Sequence, residues 1–148
     1  MSKMIFRKTD LQTLKPGDFQ LFAKTLSATD AMIYAGLSGE VSPLYLNETF
    51  AVDTKLRGQT VPPMLVAGMA GGAIYRLLSP AVLTESRTFH FLKAVFVGDT
   101  VTARAEVLSV DRESGRVRVS VDCYNQREEK VMESECLETL LFPEEKGE

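Results

Sequence analysis

The chain has a single histidine, two cysteines and no tryptophan among its 148 residues. One histidine and two cysteines without paired spacing are too few for His/Cys zinc chemistry, so no metal site is expected. Cys123 and Cys136 are read as buried thiols of a reducing compartment rather than as a disulfide. Basic residues are not in excess either: 17 Lys and Arg stand against 20 Asp and Glu, a net charge of −3. Binding to a phosphate backbone needs a basic surface, so nucleic acid is excluded as the main partner. The longest apolar-and-small stretch, Val61 to Tyr75, is shorter than a membrane span and rich in glycine. Met1 to Asp18 mixes charged and apolar residues with no h-region of a secretory signal. A cytoplasmic location without membrane contact is the expectation.

What is present is ordinary globular material. Hydrophobic residues make up 45% and charged ones 25%, enough to bury a sizeable core in one domain spanning 1–148. Lys15-Pro16-Gly17-Asp18 is a turn signal, and Phe19 to Leu26 reads as a strand in which Phe19, Leu21, Ala23 and Thr25 alternate. Ser27-x-x-Asp30 is a capping box opening a helix through Ala35, with Gly36 and Gly39 marking its end. A second short helix, Leu46 to Ala51, takes Asn47 as a plausible cap. Pro63 suits the first position of the main helix, which runs to Leu78 and stops before Pro80.

That helix is unusual in composition. Gly68, Gly71 and Gly72 each weaken an isolated helix by roughly 1 kcal/mol relative to alanine, so close wrapping by another element is implied. Beyond it the chain is nearly all strand: Thr84 to Phe96, Val101 to Val110, Val117 to Cys123 and Val131 to Leu141, with polar turns between. The charged tail from Glu144 to Glu148 is expected to fray. Helices early and strands late argue for an α+β domain, with one antiparallel sheet curled around the small-residue helix. Such a sheet leaves an exposed edge strand, and a homodimer or larger homo-oligomer is expected to cover it.

Between the first two helices lies Ser38-Gly39-Glu40-Val41-Ser42-Pro43-Leu44-Tyr45, followed by Phe50-Ala51, Pro62-Pro63-Met64-Leu65 and Val95-Phe96-Val97-Gly98-Asp99. This succession, from about Leu14 to Leu141, resembles the MaoC-like, (R)-specific enoyl-CoA hydratase family. Its members carry S-G/E-D-x-N-P-L-H, then F-A, H-G-M-L and F-x-x-P-V-x-x-G-D. The resemblance implies the hotdog fold, an acyl-CoA or acyl-carrier-protein thioester as partner, and no cofactor. It further implies a loop aspartate and histidine that activate water for addition to C3 of an enoyl thioester. A backbone N–H at the start of the central helix would hold the thioester oxygen.

Three positions depart from that pattern. Glu40 stands for the aspartate, Tyr45 for the histidine and Pro63 for the donor glycine. Glu40 and Tyr45 are therefore the expected catalytic residues, and Ser42, Pro63, Met64 and Leu65 the expected substrate-binding ones. A phenol with an ordinary pKa of about 10 is a poor base at neutral pH, and proline has no N–H to offer. Met64 N–H is the local substitute. His90, in Thr88-Phe89-His90-Phe91, is read as a structural or exposed strand residue. Arg57 and Arg87 are read as ordinary surface arginines, although a CoA phosphate is the sharper alternative.

Three functional readings follow. The first is a hydratase or dehydratase of acyl thioesters with an altered Glu/Tyr pair. In the second, the chain is a non-catalytic acyl-thioester-binding or partner subunit of a hotdog heterodimer. A thioesterase ranks last, because no Asp or Glu lies between Pro63 and Leu78.

Overall fold

Helix α1, Ala28–Ser38, begins where the sequence signals it. The computed structural model describes residues 6–141, and the charged tail lies outside them. Ser27 Oγ accepts the Asp30 N–H at 3.1 Å while Asp30 Oδ2 accepts the Ser27 N–H at 2.9 Å, the reciprocal capping box. The helix does not stop at Gly36. It runs to Ser38, and Gly39, at φ +77°, supplies the left-handed cap with its N–H on Ala35 O. The expected single short helix is two. Helix α2, Pro43–Leu46, is capped by Ser42, and α3, Glu48–Val52, by Asn47.

The central helix α4, Pro63–Leu77, is followed by four strands: β2 (Val82–Phe91), β3 (Thr100–Asp111), β4 (Arg116–Tyr124) and β5 (Lys130–Leu140). With β1, Phe19–Thr25, they form one antiparallel sheet in the order β1-β3-β4-β5-β2. The helix-facing side carries Val101, Ala103, Ala105 and Val107 of β3, with Val117, Val119, Val121 and Cys123 of β4. All are buried, against Val66, Ala67, Ala70, Ala73 and Ile74 of α4. Fully burying each such valine contributes about 1.5–3 kcal/mol. This is the α+β hotdog arrangement expected from the strand pattern. Both cysteines are buried and unbridged, and burial pushes the Cys123 thiol up to about 12.

Two strands differ from expectation. In β1 it is Phe22 that packs toward α4, whereas Phe19 and Leu21 face outward, about half exposed. The Arg104 guanidinium covers Phe19 at 4.3 Å. Strand β2 starts at Val82 and ends at Phe91, not Phe96, because the Leu92 and Lys93 N–H groups both turn to Val131 O. The chain then pairs with the approach to α4: Val61 N–H reaches Val95 O at 2.8 Å and Val97 N–H reaches Gln59 O at 3.0 Å. That clasp fixes the start of α4 against the end of β2.

The glycines of α4 find separate explanations. A Cβ on Gly72 would lie 2.8 Å from Phe22 Cδ1, and one on Gly71 would lie 3.3 Å from Arg87 Nη1. Gly68 meets nothing within 4 Å and lies on the open face with Met64 and Tyr75. The Phe22 ring cannot easily yield, since Arg76 Cζ sits 4.3 Å from its centroid and Arg76 Nη1 donates to Gly72 O at 2.8 Å. Gly72→Val is therefore expected to destabilise the chain by about 1–3 kcal/mol, the usual cost of overpacking. Urea unfolding measures this, and an unchanged midpoint would contradict the close approach.

Candidate active site

The loop after α1 is tied down by its own short side chains. Ser38 Oγ donates to Tyr34 O at 2.7 Å and accepts the Glu40 N–H at 3.1 Å. With Gly39 in the left-handed region, these bonds turn the chain so that Glu40 follows the helix end half-buried. Ser42 Oγ accepts the Leu44 N–H at 3.3 Å, and Pro43 occupies the first helical position, where its missing N–H costs nothing. Helix α2 then presents Tyr45. Gln59 Nε2 donates to Tyr45 O at 2.6 Å, joining this turn to the segment that leads into α4.

Electrostatics set what the tyrosine can do. Burial first, then the electrostatic influence of Glu40 and of Tyr34, hold the Tyr45 phenol above its ordinary value of 10. Tyr45 therefore stays protonated at neutral pH, with a proton to donate and no basic form. Glu40 is close enough for its charge to matter to Tyr45. That influence links the two side chains, with no hydrogen bond between them.

Helix α4 starts at Pro63 with no side-chain cap. Pro63 has no N–H and Leu65 N–H is engaged by Pro62 O at 2.9 Å, which leaves Met64 N–H as the donor at the positive end of the helix. Beside this end is a cavity of about 260 Å³, bounded by Tyr45, Pro63, Val66, Phe91, Val95 and Val131. Tyr45 and Pro63 line it directly. Glu40, Ser42, Met64 and Leu65 are not among its walls: Ser42 caps α2, the Met64 side chain is about half exposed, and Leu65 packs against the core.

Arg87 is not a surface arginine. It points from β2 to the helix side of the sheet, where its Nε donates to Glu138 Oε1 at 2.7 Å and its Nη2 to Thr84 Oγ1 at 3.0 Å. Thr84 Oγ1 donates to Glu138 Oε2 at 2.6 Å, and Glu138 is fully buried. This carboxylate is engaged on both oxygens. Arg57 is exposed, in the left-handed region at φ +59°. His90 is exposed on the outer sheet face, opposite Glu133. There it borders a hollow of about 420 Å³ whose walls include the Arg118–Glu135 ion pair. Among the described residues no cluster of three or more His, Cys, Asp or Glu could hold a metal ion, and no helix is long and apolar enough to cross a membrane.

Comparison with known proteins decides the family. Residues 13–130 match the model of the MaoC like domain. The chain belongs to the MaoC-like family. It is 31% identical to the (R)-specific enoyl-CoA hydratase of Rhodospirillum rubrum over 76% of this chain and 78% of that protein. It is 27% identical to the 3-hydroxybutyryl-CoA dehydratase of Methylorubrum extorquens over 90% and 85% of the two. The solved (R)-hydratase from A. caviae, involved in PHA biosynthesis, matches with a TM-score of 0.84 at 26% identity, over 87% of this chain and 98% of that one. This MaoC-like chain is thus a homologue of acyl-thioester hydratases and dehydratases.

Sequence reasoning missed two features of this MaoC-like site region. Tyr34 bears on Tyr45 from the last turn of α1; its place four residues before Ser38, on the same helix face, was a usable signal. The Arg87–Glu138 pair had no such signal, because it joins residues 51 apart across two strands. Removing the arginine alone orphans a buried carboxylate, so Arg87→Met is expected to cost about 3 kcal/mol in urea unfolding. Replacing both partners, Arg87→Met with Glu138→Leu, should recover most of that loss. Equal stability of Arg87→Met and the parent would contradict the account.

Proposed function

We propose that the chain is a hydratase or dehydratase of acyl thioesters, enoyl-CoA or 3-hydroxyacyl-CoA or their carrier-protein counterparts, working with Glu40 in place of an aspartate and Tyr45 in place of a histidine. The observation that supports it is the largely apolar cavity beside the uncapped N-terminus of α4, walled in part by a protonated Tyr45 on which the Glu40 charge acts. In this reading Glu40 takes a proton from water as the oxygen bonds to C3. The C2–C3 π electrons move toward the thioester oxygen, which Met64 N–H steadies as charge develops. The tyrosine holds its proton, so Glu40 is the group left to return a proton to C2. The acyl chain lies along Val66, Phe91 and Val131, and Ser42 and Leu65 act by shaping the loop and the helix start.

We further infer a homodimer. Strand β2 is a ten-residue sheet edge, and the open face of α4 shows Met64, Gly68 and Tyr75 to solvent. A second copy continuing the sheet along β2 satisfies both.

Magnitudes argue for a slow enzyme. A positioned acid or base supplies roughly 10²–10⁴-fold, and one oxyanion donor roughly 10²–10³-fold. Pro63 is also the observation that favours a second reading, a non-catalytic subunit that binds acyl thioesters and pairs with a catalytic hotdog chain. Hydration of crotonyl-CoA by the purified full chain separates the two. The first reading expects measurable turnover that falls at least about a hundredfold in Glu40→Gln. Wild-type activity in that variant would sink the role of Glu40, and an inactive parent that still binds crotonyl-CoA would support the second reading.

A further inference from the structure

The cavity beside the start of α4 has a closed side and an open one. Of its walls, Thr60, Val61, Val66, Val95 and Val131 are buried, whereas Leu56 and Leu92 are exposed, so the mouth lies at these two leucines. Each leucine has a cation next to it in the chain. Lys93 follows Leu92 and is itself a wall of the cavity, while Lys55 and Arg57, both exposed, flank Leu56. Lys93 is paired with Glu129. The side chains of Lys55 and Arg57 have no hydrogen bond or ion pair among the described residues.

The turn that carries these two cations holds Arg57 at φ +59°, a left-handed conformation that residues with a Cβ seldom adopt. Its surroundings impose it. Thr54 Oγ1 donates to Ala51 O at 2.7 Å and accepts the Leu56 N–H at 3.3 Å, and the Arg57 N–H reaches Thr54 O at 3.1 Å. Gly58 then passes so near Phe96 that a Cβ there would lie 3.3 Å from the ring, and Gln59 is tied to Tyr45 O. Glycine would meet the φ of position 57 without strain. What arginine adds there is a permanent charge and a planar fork of donors suited to phosphate oxygens. Backbone strain of this kind persists where the surroundings over-determine it, and it gathers at ligand clamps.

An acyl thioester divides as the cavity does: the acyl chain is apolar, and the carrier arm that stays outside bears phosphate. We propose that the turn 54–58 is a phosphate subsite at the cavity mouth, where Arg57, with Lys55 beside it, holds a phosphate of the thioester's carrier. This rests on the acyl-thioester ligand of the proposed function and not on the role of Glu40. The chemistry is common to coenzyme A and to the phosphopantetheine arm of a carrier protein.

The test is Arg57→Gly in the full chain, with equilibrium binding of butyryl thioesters, which have no C2–C3 double bond to hydrate, and with urea unfolding. Binding of butyryl-CoA is expected to weaken about fivefold, the upper range for an exposed ion pair. Butyryl-pantetheine, which has no phosphate, is expected to bind the variant and the parent alike. The unfolding midpoint is expected to hold or rise, since glycine relieves the left-handed backbone. Arg57→Gln, which keeps that backbone burden without the charge, is expected to show the same fivefold loss. Butyryl-phosphopantetheine locates the phosphate: an equal loss assigns the one shared with carrier proteins, and a loss confined to butyryl-CoA assigns those of the nucleotide. Unchanged affinity for butyryl-CoA overturns the proposal, as does an equal loss for butyryl-pantetheine or a loss in Arg57→Gly that Arg57→Gln does not share. A parent that binds none of the three thioesters overturns it as well, whereas the hydratase reading fails separately, on absent turnover of crotonyl-CoA.

Discussion

Everything in this molecule depends on how close α4 lies to the sheet. Gly72 lets the Phe22 ring touch the helix backbone, and Gly71 leaves room for the Arg87 guanidinium. A helix with ordinary side chains at those positions would stand farther off. The aliphatic layer of β3 and β4 against Val66, Ala70 and Ile74 would then lose contact, and buried aliphatic contact is the main favourable term in a fold of this size. Three glycines in a helix are destabilising alone. Here two of them are offset by what they admit.

The same approach sets the site. Because α4 is pinned from below by the sheet and from its N-terminal end by the clasp of 59–61 with 95–97, Pro63 comes to rest on the cavity that Tyr45 also lines. The loop reaches that point through capping alone: Gly39 turns the chain, Ser38 holds Glu40, and Ser42 starts α2. Charge then divides the roles. Tyr45 is pushed toward its neutral form by burial, with Glu40 and Tyr34 adding to the push. A phenol that stays neutral cannot be the base, and the reaction proposed for this site follows from that division. The buried carboxylate Glu138 takes no part in it, since Arg87 and Thr84 claim both of its oxygens.

Local signals in the sequence were reliable wherever a single turn decides structure. The capping box of Ser27 and Asp30, Pro63 at the start of α4 and the alternation of β4 all appear as read. Errors arose where a distant residue decides. Gly36 has the composition of a helix end, but the left-handed position falls on Gly39. Apolar residues occur on both faces of β1, and only Gly72, far along the chain, selects Phe22 for the inside. The end of β2 depends on Val131 O, and the inward turn of Arg87 depends on Glu138. Of the site, Glu40, Tyr45, Pro63 and Met64 were legible from their resemblance to a family motif.

The central claim is that the N-terminus of α4 still offers a donor to a thioester oxygen although Pro63 stands there. A crystal structure of the chain with a non-hydratable acyl-CoA analogue tests it most directly. The account predicts the thioester oxygen about 3 Å from Met64 N–H, the distance an oxyanion donor requires, with C3 turned toward Glu40 and the acyl chain in the cavity beside Phe91. A thioester oxygen facing the Pro63 ring with no donor in reach, or an acyl chain bound elsewhere, would contradict it.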